Sequence, residues 1–332
     1  MTRLFQLGCR ATRRIQIGQK LTQISQTIDR TMYAAIEKSL QQFFAEPQPD
    51  ARRVFHGRGQ RFVGLEHLCI DWFKPVLLLT AYSPVENVVS LLDAVQSSDS
   101  LAQIQCVILQ KRYERNAPSD LLFGEPIEEL VIREGELVFE VRPGKQQNAG
   151  LFLDMRLLRE WLQVSCTDKN VLNLFAYTCS LSVAALAGGA ATVTNVDMSK
   201  PSIRWGEKNH RLNRQDLRCI RSIPYNLFTS WGRIKQFGRY DLVIIDPPSR
   251  QRGSFDVEKN YAAVLKKLHQ LCNPGADIIA ALNSPFLESD YLIELFAAHV
   301  PDAAFIDFIA PAPEFADKYP DRGLKICRFK LP

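Results

Sequence analysis

Apolar residues recur at four-residue spacing near the start of the chain. Ile24, Ile28, Met32, Ile36, Leu40 and Phe44 stand mostly among polar residues, which predicts a helix over residues 21–46 with one buried stripe. Pro47 and Pro49 stop it. From Phe62 the period shortens. GLEHLCIDWF and PVLLLTAY predict two strands separated by a turn at Lys74-Pro75. NVVSLLDAVQ (87–96) predicts a helix and QCVILQKRY (105–113) a strand. ELVIREG and ELVFEVRP flank Glu134-Gly135 and predict a hairpin. Residues 51–145 thus predict a small α+β domain, preceded by an arm and helix over residues 1–50.

Beyond Gly150 helical and strand periods alternate. MRLLREWLQ, LSVAALAGG, PSIRWGEKNHRLN, NYAAVLKKLHQLC and YLIELFAAHV predict helices. Between them NVLNLFAY, ATVTNVDM, a weak RCIRSI, YDLVIIDPP and ADIIAALN predict strands, and AAFIDFIAP and LKICRFKL close the chain. Repeated β-α alternation over residues 146–332 means a mostly parallel sheet with helices on both faces. The last two strands have no helix between them, so they pair antiparallel at one edge.

Composition narrows the class. The 332 residues suffice for two domains, and 46% hydrophobic with 23% charged residues is a globular balance. No apolar run is long enough to span a bilayer, and no signal-peptide pattern heads the chain, so a cytoplasmic protein is expected. The eight cysteines are scattered without a C-x-x-C pair, which predicts reduced thiols and no metal site. The formal charge is +5, and Arg3, Arg10, Arg13, Arg14 and Lys20 lie in a stretch without acids. That stretch reads as an arm for RNA phosphates, as a frayed terminus, or as a presequence.

In an open parallel sheet, ligands bind beyond the carboxyl ends of the strands. The first such loop is Ala176-Tyr177-Thr178-Cys179-Ser180, small enough for a ligand to approach the helix that follows. It lacks the glycines of a dinucleotide fingerprint, which argues against a nicotinamide or flavin enzyme. The second strand ends in Asp197, placed to accept two hydroxyl hydrogen bonds from a ribose. Its alternative role is a helix cap, but Ser199 fills that position. The strand YDLVII ends in Asp246-Pro247-Pro248, a stiff turn that fixes an acid and carbonyls above the sheet.

Together these segments are recognisable. LNLFAYTCSLSVAALAGGA, TNVDMS, HRLN and DLVIIDPPS resemble class I S-adenosylmethionine-dependent methyltransferases of ribosomal RNA. VRPGKQQNAGLFLDMR is similar to the G-x-K-T-G-x-F-L-D-x-R signature of the large-subunit rRNA cytosine-5 and guanine-N7 methyltransferases. RFVGLEHLCIDWF and IEELVIREGELVFEV resemble their preceding small domain, so the likeness runs from about residue 55 to the end. It implies a Rossmann-like sheet, S-adenosyl-L-methionine as cofactor and ribosomal RNA, of the large subunit, as partner. It also implies roles for residues. Phe175 to Ser180 would hold the methionine end of the cofactor, Asp197 the ribose, and Met198 and Asn226 the adenine. Asp246, Pro247, Pro248 and Ser249 would line the target base. Phe152, Asp154 and Arg156 would close over the cofactor, with Arg156 facing its carboxylate.

Two departures stand out. Relatives read Tyr-Thr-Gly where this chain has Cys179, which is strained if the backbone there needs positive φ. The Thr-Gly after the signature lysine is replaced by Gln146 to Ala149. The acceptor follows from chemistry. Cytosine C5 needs a thiolate to add to C6 first. The cytosine-5 relatives place that Cys after the strand ADIIAALN, where this chain has Asn283-Ser284-Pro285. Cys179 is read as a packing residue, and Cys272 and Cys327 lie away from the active edge. The guanine-N7 relatives carry an Asn in this segment, which Asn283 matches, so a purine heteroatom such as guanine N7 is the expected acceptor. Phe255, Phe286 and Phe315 are candidates to stack on a base, or core; Arg250, Arg252, Lys318 and Arg322 are candidates to meet phosphates, or a solvated loop. A degenerate fold that only binds RNA or protein, and a small-molecule methyltransferase, remain as alternative readings.

Overall fold

The computed structural model describes residues 32–127, 129–248, 250–251 and 255–332. The basic stretch, the first part of the expected 21–46 helix, Ser249 and Arg252 lie outside the described residues. In chain order the first half contains α1 (Ala34–Phe43), β1 (Arg52–His56), β2 (Leu68–Phe73), β3 (Val76–Ala81), α2 (Val88–Ser98), β4 (Cys106–Lys111) and β5 (Ser119–Gly124). The hairpin β6 (Leu130–Glu134) and β7 (Leu137–Val141) follows. The second half contains α3 (Arg156–Ser165), β8 (Asn170–Leu174), α4 (Ser180–Ala187), β9 (Thr192–Val196), α5 (Lys200–Leu212), β10 (Ile220–Ile223), α6 (Trp231–Gln236) and β11 (Tyr240–Ile245). A short ribbon of β12 (Arg250–Gln251) and β13 (Phe255–Asp256) leads into α7 (Val257–Leu265) and α8 (Leu268–Leu271). The chain closes with β14 (Cys272–Asn283), α9 (Asp290–His299), β15 (Ala304–Phe308) and β16 (Leu324–Lys330).

The second half is the expected α/β sheet, in the order β10-β9-β8-β11-β14-β16-β15. The first five strands run parallel, while β16 is antiparallel to both β14 and β15. Because β16 inserts between them, the two closing strands pair antiparallel at the sheet edge as expected. Val171, Leu242 and Ile244 pack one layer against α3 and α4, while Leu172, Leu174, Val243 and Ile245 pack the other against α7 and α9. Strands buried on both faces are mostly apolar, and the buried polar Asn173 and Asn195 are tied to each other, with Asn173 also donating to Ser182. All five parallel strands therefore end at one sheet edge, which gathers their loops.

The small sheet has the order β1-β2-β3-β4-β5. One face is covered by Ile36 and Leu40 of α1, by Phe44 just after it, and by Leu91 and Val95 of α2. From the other, Phe73, Leu78 and Ile108 join the same cluster as Leu158 and Leu162 of α3, so the two halves share a core. The hairpin forms a two-stranded sheet of its own and is held by α5. Asn209 Oδ1 accepts from Glu140 N–H at 2.9 Å, and Trp205 Nε1 donates to the Glu140 carbonyl at 3.1 Å.

Three sequence expectations need correction. The helix over NYAAVLKKLHQLC breaks into α7 and α8, and Cys272 begins β14 instead of ending the helix. Strands β1 and β5 were not expected. RRVFH has only two apolar residues, and SDLLFG has no buried residue, so neither carries the period-2 signal. Among the described residues all seven cysteines are free, no cluster could hold a metal, and no helix is long and apolar enough to cross a membrane.

Candidate active site

The loop after β8 is held in an uncommon conformation. Phe175, Tyr177 and Cys179 have φ of 60°, 46° and 60°, a region non-glycine residues enter at a cost of about 1–3 kcal/mol each. Local bonds hold it there. Ala176 N–H donates to the Val196 carbonyl at 3.0 Å, and Cys179 N–H to the Ala176 carbonyl at 2.7 Å. Buried Thr178 donates through Oγ1 to the Gly150 carbonyl at 2.6 Å, tying the loop to the chain before α3.

Cys179 thus stands where the backbone is left-handed. Its side chain turns away from the loop's open face and lies against α5. A Cβ placed on Gly206 would sit 2.3 Å from its Sγ. A mid-helix glycine costs about 1 kcal/mol relative to alanine; here the thiol fills the space a side chain would take. Burial pushes the Cys179 thiol up, away from the nucleophilic thiolate. Cys179 and Thr178 do not line the cavity described next; Phe175, Ala176, Tyr177 and Ser180 do.

A cavity of about 600 Å³ opens above the tips of β8, β9, β10 and β11. That lies within the range of small-ligand sites. Asp197 follows β9 at one wall. Its Oδ2 accepts Tyr177 N–H at 2.9 Å and its Oδ1 accepts Ser199 N–H at 2.8 Å. Each oxygen keeps a lone pair for a further donor. The helix cap is Ser199, whose Oγ accepts Ser202 N–H at 3.2 Å, so Asp197 is not spent on capping.

The next wall is apolar. Met198, Leu227 and Phe228 line it with Tyr225 and Asn226. Phe255, which also lines the cavity, meets Phe175 edge-on at 4.9 Å and lies parallel to Phe228 at 6.3 Å. Asn226 Oδ1 accepts Phe228 N–H at 2.8 Å and retains its second lone pair.

At the other end stand Phe152, Asp154, Asp246, Pro247, Pro248 and Asn283. Burial first, and then the Asp154 carboxylate, push the Asp246 carboxyl up to about 7. Burial likewise raises Asp154, against the opposing pull of Arg53 and Arg159. Two carboxyls in one cavity, with no cation among the described residues acting on Asp246, suit a positively charged guest.

Arg156 does not join this group. Its Nε and Nη2 donate to Glu314 Oε1 at 3.2 and 3.0 Å, and its Nη1 donates to Glu160 at 2.7 Å. Two carboxylates engage the guanidinium, and it is not among the residues that line the cavity. Phe255 and Phe315 are buried, whereas Phe286 is exposed.

A second cavity, about 680 Å³, lies between the small sheet and the loops around β14 and β16. It shares Gln147, Asn148, Phe152, Asp154 and Asn283 with the first. On its wall Arg53 donates to Asp71 Oδ1 at 2.5 Å and to His56 Nδ1 at 2.7 Å. Since arginine only donates, that histidine nitrogen accepts. Burial, then Arg53 and Arg58, lower His56 to about 3, so it is neutral.

Sequence reasoning missed Gln147, Asn148, Ser202, Tyr225, Leu227 and Phe228. The strand-tip rule applied to the weak strand β10 would have reached the last three.

A family model described as S-adenosylmethionine-dependent methyltransferase matches residues 52–330. The chain is similar to the ribosomal RNA large subunit methyltransferase K/L of Shewanella pealeana, 38% identical over 160 residues, 47% of this chain and 22% of that protein. The protein of the same name from Hahella chejuensis is 29% identical over 241 residues, 68% of this chain and 33% of its own. The chain thus spans a third or less of the curated relatives it matches. Among solved structures, SMU.776, described as a candidate methyltransferase complexed with SAH, superposes with a TM-score of 0.79 at 25% identity, over 92% of this chain and 82% of that one. A SAM-dependent methyltransferase from Agrobacterium tumefaciens gives 0.63 at 19% identity, over 80% and 88%, and shows the fold alone.

Proposed function

We propose that this chain, which belongs to the family of S-adenosylmethionine-dependent methyltransferases, methylates a base of ribosomal RNA at a purine heteroatom, N7 of guanine, without a covalent cysteine intermediate. The observation that carries the acceptor is that, among the described residues, no cysteine lines either cavity. Burial pushes the Cys272 and Cys327 thiols up to about 12. Cys272 begins β14, at the sheet edge opposite the cavity. Ribosomal RNA is supported by the names of the relatives.

The first cavity fits the cofactor. Asp197 offers two free lone pairs for the ribose diol, Met198 and Phe228 an apolar face for adenine, and Asn226 an acceptor for its amino group. Bound there, S-adenosylmethionine supplies an electrophilic methyl group on a cationic sulfur. Guanine N7 supplies the lone pair and loses no proton, so the chain needs no general base. Its work is positioning and charge. Pro247 and Pro248 stiffen the wall beside the acceptor, and Asn283 reaches the junction of both cavities. Asp154 and Asp246, which line the same cavity, would face the cationic sulfur and then the methylated base that takes up its charge.

The test is transfer of radiolabelled methyl to deproteinised rRNA, with the product cleaved by chemistry selective for 7-methylguanine. Label is expected at such sites, and Cys179→Ala, Cys272→Ala and Cys327→Ala are each expected to retain transfer. Label on cytosine C5, or loss of transfer in a variant that still binds cofactor, would overturn the assignment.

Asp246 also sets a pH dependence. Its folded value, about 7, lies above the roughly 3.9 of an unfolded chain. The stability tied to its protonated form is therefore complete below about pH 4 and lost as pH rises through about 7. A cation in the cavity favours the charged form. Affinity for S-adenosylmethionine is thus expected to rise about tenfold between roughly pH 6 and 8 by calorimetry, with a flatter curve for the uncharged thioether product. Equal slopes for the two ligands would show that Asp246 does not sense the sulfur charge.

A further inference from the structure

We propose that the second cavity holds a single-stranded RNA segment next to the acceptor base, with the small domain forming one lip and the loops flanking β14 and β16 the other. The proposal rests on the rRNA reading above. The shared wall at Asn148, Phe152, Asp154 and Asn283 makes the two cavities neighbours, so a base in the first has its flanking nucleotides in the second.

The lips pair cations with ring faces. On the small domain, the Arg58 guanidinium lies 4.4 Å from the Tyr82 ring centroid. Opposite, Arg322 and Lys318 lie 4.7 and 5.4 Å from the Tyr319 centroid. Among the described residues none of these three cations forms an ion pair, whereas Arg53, deeper in, is matched by Asp71. Asp317 also lines the interior, which keeps phosphates at the lips.

Phe286 supplies a further ring. It is 90% exposed, yet its loop is anchored. Buried Lys325 donates to the Ser284, Leu287 and Asp321 carbonyls at 2.7, 2.8 and 2.6 Å. An aromatic face held in water on a fixed loop, in a cleft also lined by Arg58 and Arg322, suits unstacked bases with phosphates beside them. A duplex hides its base faces and cannot use these rings.

The experiment is fluorescence anisotropy of the full chain with a labelled mixed-sequence RNA of about twelve nucleotides, single-stranded and as a duplex. Arg58→Ala/Arg322→Ala is expected to weaken single-strand binding by about tenfold or more and to flatten its salt dependence by about two phosphate contacts. Phe286→Ala is expected to weaken it about tenfold. Both change exposed side chains, and unchanged affinity for S-adenosylmethionine verifies the fold. Wild-type affinity in either variant, or equal affinity for the duplex, would overturn the cleft while methyl transfer to rRNA by the wild type leaves the function standing. A wild-type chain that neither binds RNA nor methylates it overturns both.

Discussion

Asp197→Ala is expected to weaken S-adenosylmethionine binding by about two orders of magnitude. Each hydrogen bond to a charged group contributes about 1.5–3 kcal/mol, and this carboxylate has lone pairs for two ribose hydroxyls beyond the two N–H groups it accepts. Losing both amounts to about 3 kcal/mol or more, roughly a hundredfold. The substitution acts on the loop as well. Tyr177, at φ 46°, has its N–H on Asp197 Oδ2, so alanine removes a bond that holds the left-handed turn. Asp197→Asn separates the two effects. One amide oxygen still accepts, while the NH2 faces an N–H donor. The asparagine variant is expected to fall between wild type and alanine. Calorimetric titration at a fixed pH reads all three. An alanine variant within threefold of wild type would remove Asp197 from the cofactor site.

The site and the fold were readable in the sequence to different depths, for physical reasons. Strand β11 is buried on both faces and reads as an apolar run, while β8 and β9 mix β-branched and apolar residues with buried Asn173, Thr194 and Asn195; the tips of all three mark the ligand edge. Asp197 and Asp246 follow from that rule alone. β1 and β5 are not legible because they are the two opposite edge strands of the small sheet, each held by pairing with a single neighbour and not by an apolar pattern. That Arg156 is held by Glu314 is not legible, because that partner is distant in sequence and no local spacing reveals it. Cys179 was legible as a strained position, but its fit depends on Gly206, and that contact requires the α4–α5 packing. The second cavity was not foreseen as a cavity because the two halves of the chain meet to form it.

A buried ion pair hidden in the same way carries the second large effect. Glu134 of β6 and Arg159 of α3 have side chains 5% and 0% exposed. Arg159 Nε donates to Glu134 Oε1 at 2.5 Å and Nη2 to Oε2 at 2.7 Å, a two-pronged pair. Glu134→Ala leaves a guanidinium out of water without its counter-charge, and Nη1 already lacks a partner. The expected loss is about 3–5 kcal/mol, seen as a lower urea midpoint. Replacing both partners with apolar residues, Glu134→Leu with Arg159→Met, is expected to recover most of it, because the larger part of the single-mutant loss is the orphaned charge. Activity is expected to follow a different pattern. Arg159 Nη2 also donates to the Phe152 carbonyl at 3.0 Å, and Phe152 and Asp154 form the wall between the two cavities. The double variant therefore regains stability but not the placement of that wall, so methyl transfer stays low while the protein remains folded. Recovery of both together would mean that the pair serves only to join hairpin and helix. An unchanged urea midpoint for Glu134→Ala would mean that water reaches the guanidinium and the pair is not buried in solution.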